Sequence, residues 1–136
     1  VYAPSLAEAK PGFEIAPLVM VNVTEDIPAA LLPLKWMLSF YVGGMGSRKR
    51  NFHVELMSRM GFEAEARKIQ DLFLADKREE AAAAVPDQFA DEISLLGPIE
   101  RIRDRLDAWR ETPVTTLLLT THDPSVLRTM AELVLR

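Results

Sequence analysis

The end of the chain constrains its fold most. Residues 98–110 carry Ile99, Ile102, Leu106 and Trp109 at helical spacing. Thr112-Pro113 then turns the chain into Val114-Thr-Thr-Leu-Leu-Leu119, a short apolar strand candidate. Asp123-Pro124 follows, a capping residue and a proline at the first helical position, and opens a helix through Val134. A second strand candidate, Phe13 to Thr24, stands near the front and feeds a helix of its own. Its run Leu18–Val23, broken only by Asn22, suits a strand buried on both faces. Pro17 fits the start of that strand or a bulge. Strand–helix–strand–helix order is the unit of a parallel α/β fold. Two such units cannot close a barrel, so the chain reads as a piece of something larger.

Residues 1–12, with Pro4, Pro11 and Gly12, read as a loop. Thr24 or Asp26 can cap a helix with Pro28 in its first turn, and Pro33 predicts a kink or restart. That helix should run to about Tyr41 and break at Gly43, Gly44 and Gly46. The stretch Ile27–Met45 is long enough to span a membrane, but Lys35, Pro28, Pro33 and the glycines argue against it. A core helix is the better account. Beyond it, Ser47 can cap a helix with Phe52, Leu56 and Met60 on one stripe, ended by Gly61. Phe62 to Leu74 repeats the pattern with Phe62, Ala66, Ile69 and Phe73. Asp76–Ala84 is a short charged helix. Pro86 opens another, with Phe89, Ile93 and Leu96 inward and Gly97 as its stop. Residues 13–42 are thus strand and helix, 43–97 a helical insertion, and 98–136 helix, last strand and last helix. About ninety residues separate the two strands, where a plain crossover needs about a dozen.

A length of 136 residues suits one domain, and the composition is globular. The net charge of −4 and the lack of any long basic run argue against a nucleic-acid partner. With no cysteine, disulfides, thiolate catalysis and cysteine-held zinc are excluded. The first twelve residues lack the basic start and apolar core of a signal peptide. A cytoplasmic protein is expected.

The sharpest local signal is Tyr41-Val-Gly-Gly-Met-Gly46, followed by Ser47-Arg-Lys-Arg50. Three glycines in four positions let the backbone take positive φ and approach a ligand closely. The cations beside a helix start favour an anion. Equally, the glycines can simply turn the chain between two helices. The spacing is neither a Walker loop nor GxGxxG after a strand. Of the two histidines, His53 lacks a partner ligand at helical spacing, and His122 sits where a strand meets a helix. Asp123, beside it, is explained as a cap. The remaining carboxylates alternate with Arg and Lys on helix faces, where solvated ion pairs account for them. No acid/base couple, nucleophile elbow or metal cluster stands out.

The run from Tyr41 to Gly46, then Arg48, Asn51 and Phe52, resembles the carboxyl-terminal part of luciferase-like monooxygenases. The nearest branch is the coenzyme F420-dependent oxidoreductases, including those of methylenetetrahydromethanopterin reductase type. The likeness continues through Ala82-Ala-Ala-Val-Pro-Asp87, Leu96-Gly-Pro98, Glu100-Arg-Ile-Arg-Asp-Arg-Leu106, Trp109, Val114–Leu119 and Asp123-Pro124. It implies a carboxyl-terminal fragment of a (β/α)8 TIM barrel, holding the last two strands and a multi-helix insertion. It also implies hydride transfer or monooxygenation on a small organic substrate, with coenzyme F420 or FMN in the parent protein. Tyr41, Gly43, Gly44, Met45, Gly46 and Arg48 would line the cofactor or substrate pocket, and catalytic residues would lie outside this chain. Alone, the fragment should be inactive and should form homo-oligomers through unpaired strands or helices. The alternative is a non-catalytic helical oligomerisation or interaction module.

Overall fold

The computed structural model describes residues 10–121 and 123–135. Its elements are β1 (Leu18–Val23), α1 (Ile27–Gly44), α2 (Phe52–Arg59), α3 (Glu63–Leu74), α4 (Arg78–Ala83), α5 (Asp87–Glu92), β2 (Ser94–Gly97), α6 (Ile99–Arg110), β3 (Leu118–Thr120) and α7 (Pro124–Val134). The chain divides into two compact units. One is Leu31–Glu92; the other joins Lys10–Ala30 to the chain from Ile93 onward.

The second unit holds a parallel sheet in the order β2-β1-β3. Met20 to Val23 pair with Ser94 to Gly97, and Leu18 to Met20 pair with Leu118 to Thr120. The expected first and last strands are therefore present, shorter than predicted, and adjacent. The third strand is a correction. Ser94–Gly97 was expected inside a helix beginning at Pro86, but that helix ends at Glu92 and the chain extends. Ile93 and Leu96 fall at helical spacing with Phe89, and a four-residue apolar run carries no periodicity of its own to contradict them. Pairing with β1 decides the matter, and all four residues of β2 are buried. Gly97 then takes φ +124°, a conformation open to glycine, and delivers Pro98 to the start of α6.

Burial on both faces of β1 is also corrected. Val19 and Val21 are 1% and 2% exposed, while Leu18 on the opposite face is 67% exposed. The buried face joins Leu95 to Ile102 and Leu106 of α6 and to Val126 and Met130 of α7. The predicted stripe of α6 thus faces the sheet. Asp123 caps α7 as expected, its carboxylate accepting from the Ser125 amide at 2.8 Å.

The other unit takes α1 from Leu31 onward; the helix is continuous with Pro33 inside it, and it runs through Gly44 rather than stopping near Tyr41. Its cap is Asp26, which accepts from the Ala29 amide at 3.0 Å, while the Thr24 hydroxyl accepts from Asp26 itself. Leu31, Leu34, Leu38 and Val42 are buried; Leu32, Trp36 and Phe40 on another side are about half exposed. Lys35 reaches Asp87 at 2.6 Å. The stripe of α2 is shifted from expectation. Met57 is buried and Phe52 is 58% exposed, and the helix starts after Asn51 rather than Ser47. Ala66 and Ile69 of α3, Ala81 and Ala82 of α4, and Phe89 and Ala90 of α5 complete this core. Among the described residues, no helix is long and apolar enough to cross a membrane.

Replacing Leu95 with Ala tests the assignment of β2. Truncation of a fully buried leucine should cost about 2–5 kcal/mol of unfolding free energy. Leu118→Ala, at a half-exposed position, should cost well under half of that. Urea denaturation of both variants measures the contrast.

Candidate functional site

The segment from Tyr41 to His53 is organised by Asn51. Its side-chain oxygen accepts from the amides of His53 and Val54 at 2.9 and 3.2 Å and so caps α2. Its side-chain nitrogen donates 2.7 Å to the carbonyl of Val42, one of the last of α1. One buried amide therefore satisfies the end of one helix and the beginning of the next. Between them, Ser47 and Arg50 exchange backbone hydrogen bonds at 3.0 and 3.1 Å. The Ser47 hydroxyl accepts from the Arg50 amide. The expected Ser47 cap is thus a turn closure instead.

The glycines serve a different purpose from the one their spacing suggested. Among the described residues, positive φ at glycine occurs only at Gly12, Gly61 and Gly97. Gly43 and Gly44 are helical, and Phe73 of α3 lies against them. A Cβ on Gly43 would stand 2.3 Å from the Phe73 Cβ, and one on Gly44 would stand 2.6 Å from its Cε1. A Cβ on Gly46 would meet the Arg50 carbonyl at 2.8 Å and the Asn51 Cα at 2.9 Å. Close approach is real here, but the approaching group is the protein itself.

Tyr41 is half-buried, its ring centroid 5.0 Å from that of His53. Phe40 stands edge-on to Tyr41 and Phe73. Met45 is 49% exposed. Arg48 pairs with Asp71 at 2.6 Å, both side chains largely in solvent. Tyr41, Met45 and Arg48 thus lie in or beside one turn, whose Gly43 is buried while Gly44 and Gly46 are exposed. The cavity lined by α6, β3 and α7 and the groove between α2 and α3 contain none of these residues. Sequence reasoning did not find the double role of Asn51 or the Phe73 contact. The first is legible afterwards as an Asn directly before an apolar-periodic run; the second needs a residue thirty positions away.

Desolvation holds the His53 imidazole below its ordinary value of 6.5. The Asp123 carboxyl is lowered by its hydrogen bonds to Ser125. His122 lies outside the described residues. Among those described, no group of three or more His, Asp or Glu side chains is placed to hold a metal ion.

Gly43→Ala should destabilise the protein by about 1–3 kcal/mol, the usual cost of overpacking. Phe73→Leu keeps the Cβ and Cγ that crowd Gly43 and should not recover that loss, whereas it removes the Cε1 and Cζ that crowd Gly44 and should recover part of the cost of Gly44→Ala, in double-mutant cycles followed by thermal unfolding. Arg48→Ala should change stability by less than about 1 kcal/mol, as for exposed ion pairs.

His53 predicts a pH dependence. Its folded value lies below the unfolded one, so the unfolded chain takes up the proton first. Stability should be unaffected by this group above pH 6.5 and should fall as pH drops through 6.5 towards the folded value. An NMR titration should place the His53 midpoint below 6.5. Replacement by Phe should flatten the slope in that window.

Comparison with known proteins bears on the chain as a whole. The sequence profile of the luciferase-like monooxygenase family matches residues 2–116. A Mycobacterium tuberculosis protein, whose name assigns it to the coenzyme F420-dependent oxidoreductases, is 31% identical over 131 residues. That alignment covers 96% of this chain and 38% of the relative. The chain thus spans well under half the length of the curated relative it matches. No solved structure matches significantly. The chain belongs to the luciferase-like monooxygenase family.

Proposed function

We propose that these residues form the carboxyl-terminal part of a (β/α)8-barrel oxidoreductase. The parent enzyme moves hydride between a flavin-type cofactor, coenzyme F420 or FMN, and a small organic substrate, or uses the reduced flavin for monooxygenation. The carrying observation is the family match across most of the chain. The name of the 31% identical relative supports the oxidoreductase class. Three strands, each followed by a helix, supply repeating units of the kind such a barrel needs.

The residues around Gly43 to Gly46 form no cradle for a flavin ring. Phe73 fills the space over Gly43 and Gly44, and Arg50 and Asn51 fill that over Gly46. Holding the ring is therefore assigned to other segments of the parent, and no step of the reaction to this chain. Met45 and Arg48, two exposed side chains of the turn, with Tyr41 beside them, are assigned to the rim of the cofactor or substrate pocket. On this reading residues 1–136 are inactive alone, and the parent is cytoplasmic.

Strand order bears on the proposal. Successive barrel strands are neighbours, whereas here β3 lies beside β1 and not beside β2. Entry into a complete barrel would place β3 at the other edge of β2. A second reading, a helical interaction module, draws on the exposed row Leu32, Trp36 and Phe40 of α1. Such a row would join copies into a homo-oligomer.

Titration of coenzyme F420 and FMN against the longest native form of the protein and against residues 1–136, followed by fluorescence, tests the first reading. Binding by the longer form alone is expected. Equal binding by residues 1–136 would overturn the assignment of the ring site. Binding by neither form, with a concentration-dependent mass in light scattering, would favour the second reading.

A further inference from the structure

Between Asp26 and Glu55 the chain has no acidic residue and four cations, Lys35, Arg48, Lys49 and Arg50. Asp87 takes up Lys35. The other three are consecutive and stand on the turn after Gly46, in a chain whose net charge is −4. That turn is fixed by its own helices. Ser47 and Arg50 exchange backbone hydrogen bonds at 3.0 and 3.1 Å, which leaves Arg48 and Lys49 at the tip. Gln70 of α3, itself 6% exposed, donates to the Ser47 carbonyl at 3.4 Å. Arg48 is tied to Asp71 of the same helix, and the buried Asn51 holds the following leg to the end of α1.

Arg48 therefore serves to position the turn. Lys49 and Arg50 are exposed, and among the described residues neither is paired with a carboxylate. Two adjacent cations on a preorganised turn attract a ligand with several negative groups in a row. Exposed cations of this kind recognise charge rather than shape, so their complement is a flexible acidic chain and not a planar ring. Of the two cofactors in the reading above, FMN ends in a single phosphate, whereas coenzyme F420 carries beyond its phosphate a chain of glutamates. We propose that Lys49 and Arg50 bind the acidic tail of coenzyme F420 at the rim of the parent's pocket. The proposal rests on the oxidoreductase reading and adds to it a choice of cofactor. The tail crosses the turn, and the ring stays with other segments of the parent. Because both side chains lie in solvent, each contact is modest and is screened by salt.

Coenzyme F420, the same cofactor with its glutamates removed, and FMN are titrated against the longest native form of the protein and followed by fluorescence. At low salt F420 is expected to bind more tightly than the trimmed cofactor. That advantage should vanish towards about 1 M salt, where the screening length is about 3 Å. Lys49→Ala combined with Arg50→Ala should weaken F420 binding about tenfold, the size of two exposed charge pairs, and leave the trimmed cofactor and FMN unchanged. Arg59→Ala, at another exposed cation at the far end of α2, should leave all three affinities unchanged. The variants should melt at the temperature of the wild type, because the substituted side chains lie in solvent. Equal affinity for F420 with and without its glutamates would overturn the proposal. So would a tail advantage that survives the double variant, or one that Arg59→Ala removes equally. Each of these results leaves the oxidoreductase reading standing. Binding of neither F420 nor FMN would remove that reading, and this proposal with it.

Discussion

The sheet-bearing unit depends on β1 lying between its two neighbours. Both ladders use β1: Met20 to Val23 pair with β2 and Leu18 to Met20 with β3, while β2 and β3 each keep one edge. The same strand carries Val19 and Val21 into the core that α6 and α7 cover. Six residues thus pair with partners 74 and 100 positions further along the chain. Without β1, neither β2, at four residues, nor β3, at three, has a partner.

In the helical unit the comparable constraint is the buried amide of Asn51. A helix end and a helix start separated by seven residues leave several polar backbone groups near one another. Asn51 satisfies three of them with one side chain. The turn it closes brings Gly43, Gly44 and Gly46 against Phe73, Arg50 and Asn51. A glycine-rich run beside cations looks in one dimension like a ligand loop. In three dimensions the glycines admit a neighbouring helix, and the cation Arg48 is paired with Asp71. From Gly44 to Arg50 the turn stays outward, and only Gly43 among its glycines is buried.

The helical unit also explains why α1 is apolar around most of its circumference. A helix of that character is ordinarily covered on several sides. Leu31, Leu34, Leu38 and Val42 are covered here, whereas Leu32, Trp36 and Phe40 are only half so. The open face of β1 at Leu18, beside Leu118 of β3, is similar. Both surfaces are suited to further protein, in keeping with a family whose relative is more than twice as long as this chain.

By itself the sequence determined the parallel α/β class, the helical character of residues 27–92, the buried stripe of α6 and the Asp123-Pro124 start of α7. Each rests on local rules: periodicity over several turns, a cap with its proline, a turn before an apolar run. The order of short motifs also pointed to the family. Tertiary structure alone decided that Ser94–Gly97 is a strand, because four apolar residues take their conformation from the partner that pairs with them. It decided which face of β1 is buried, since an unbroken apolar run marks neither face. It decided, too, what the glycines near Arg48 are for. Spacing records that backbone must come close to something there, and only the packed fold places Phe73 as that neighbour.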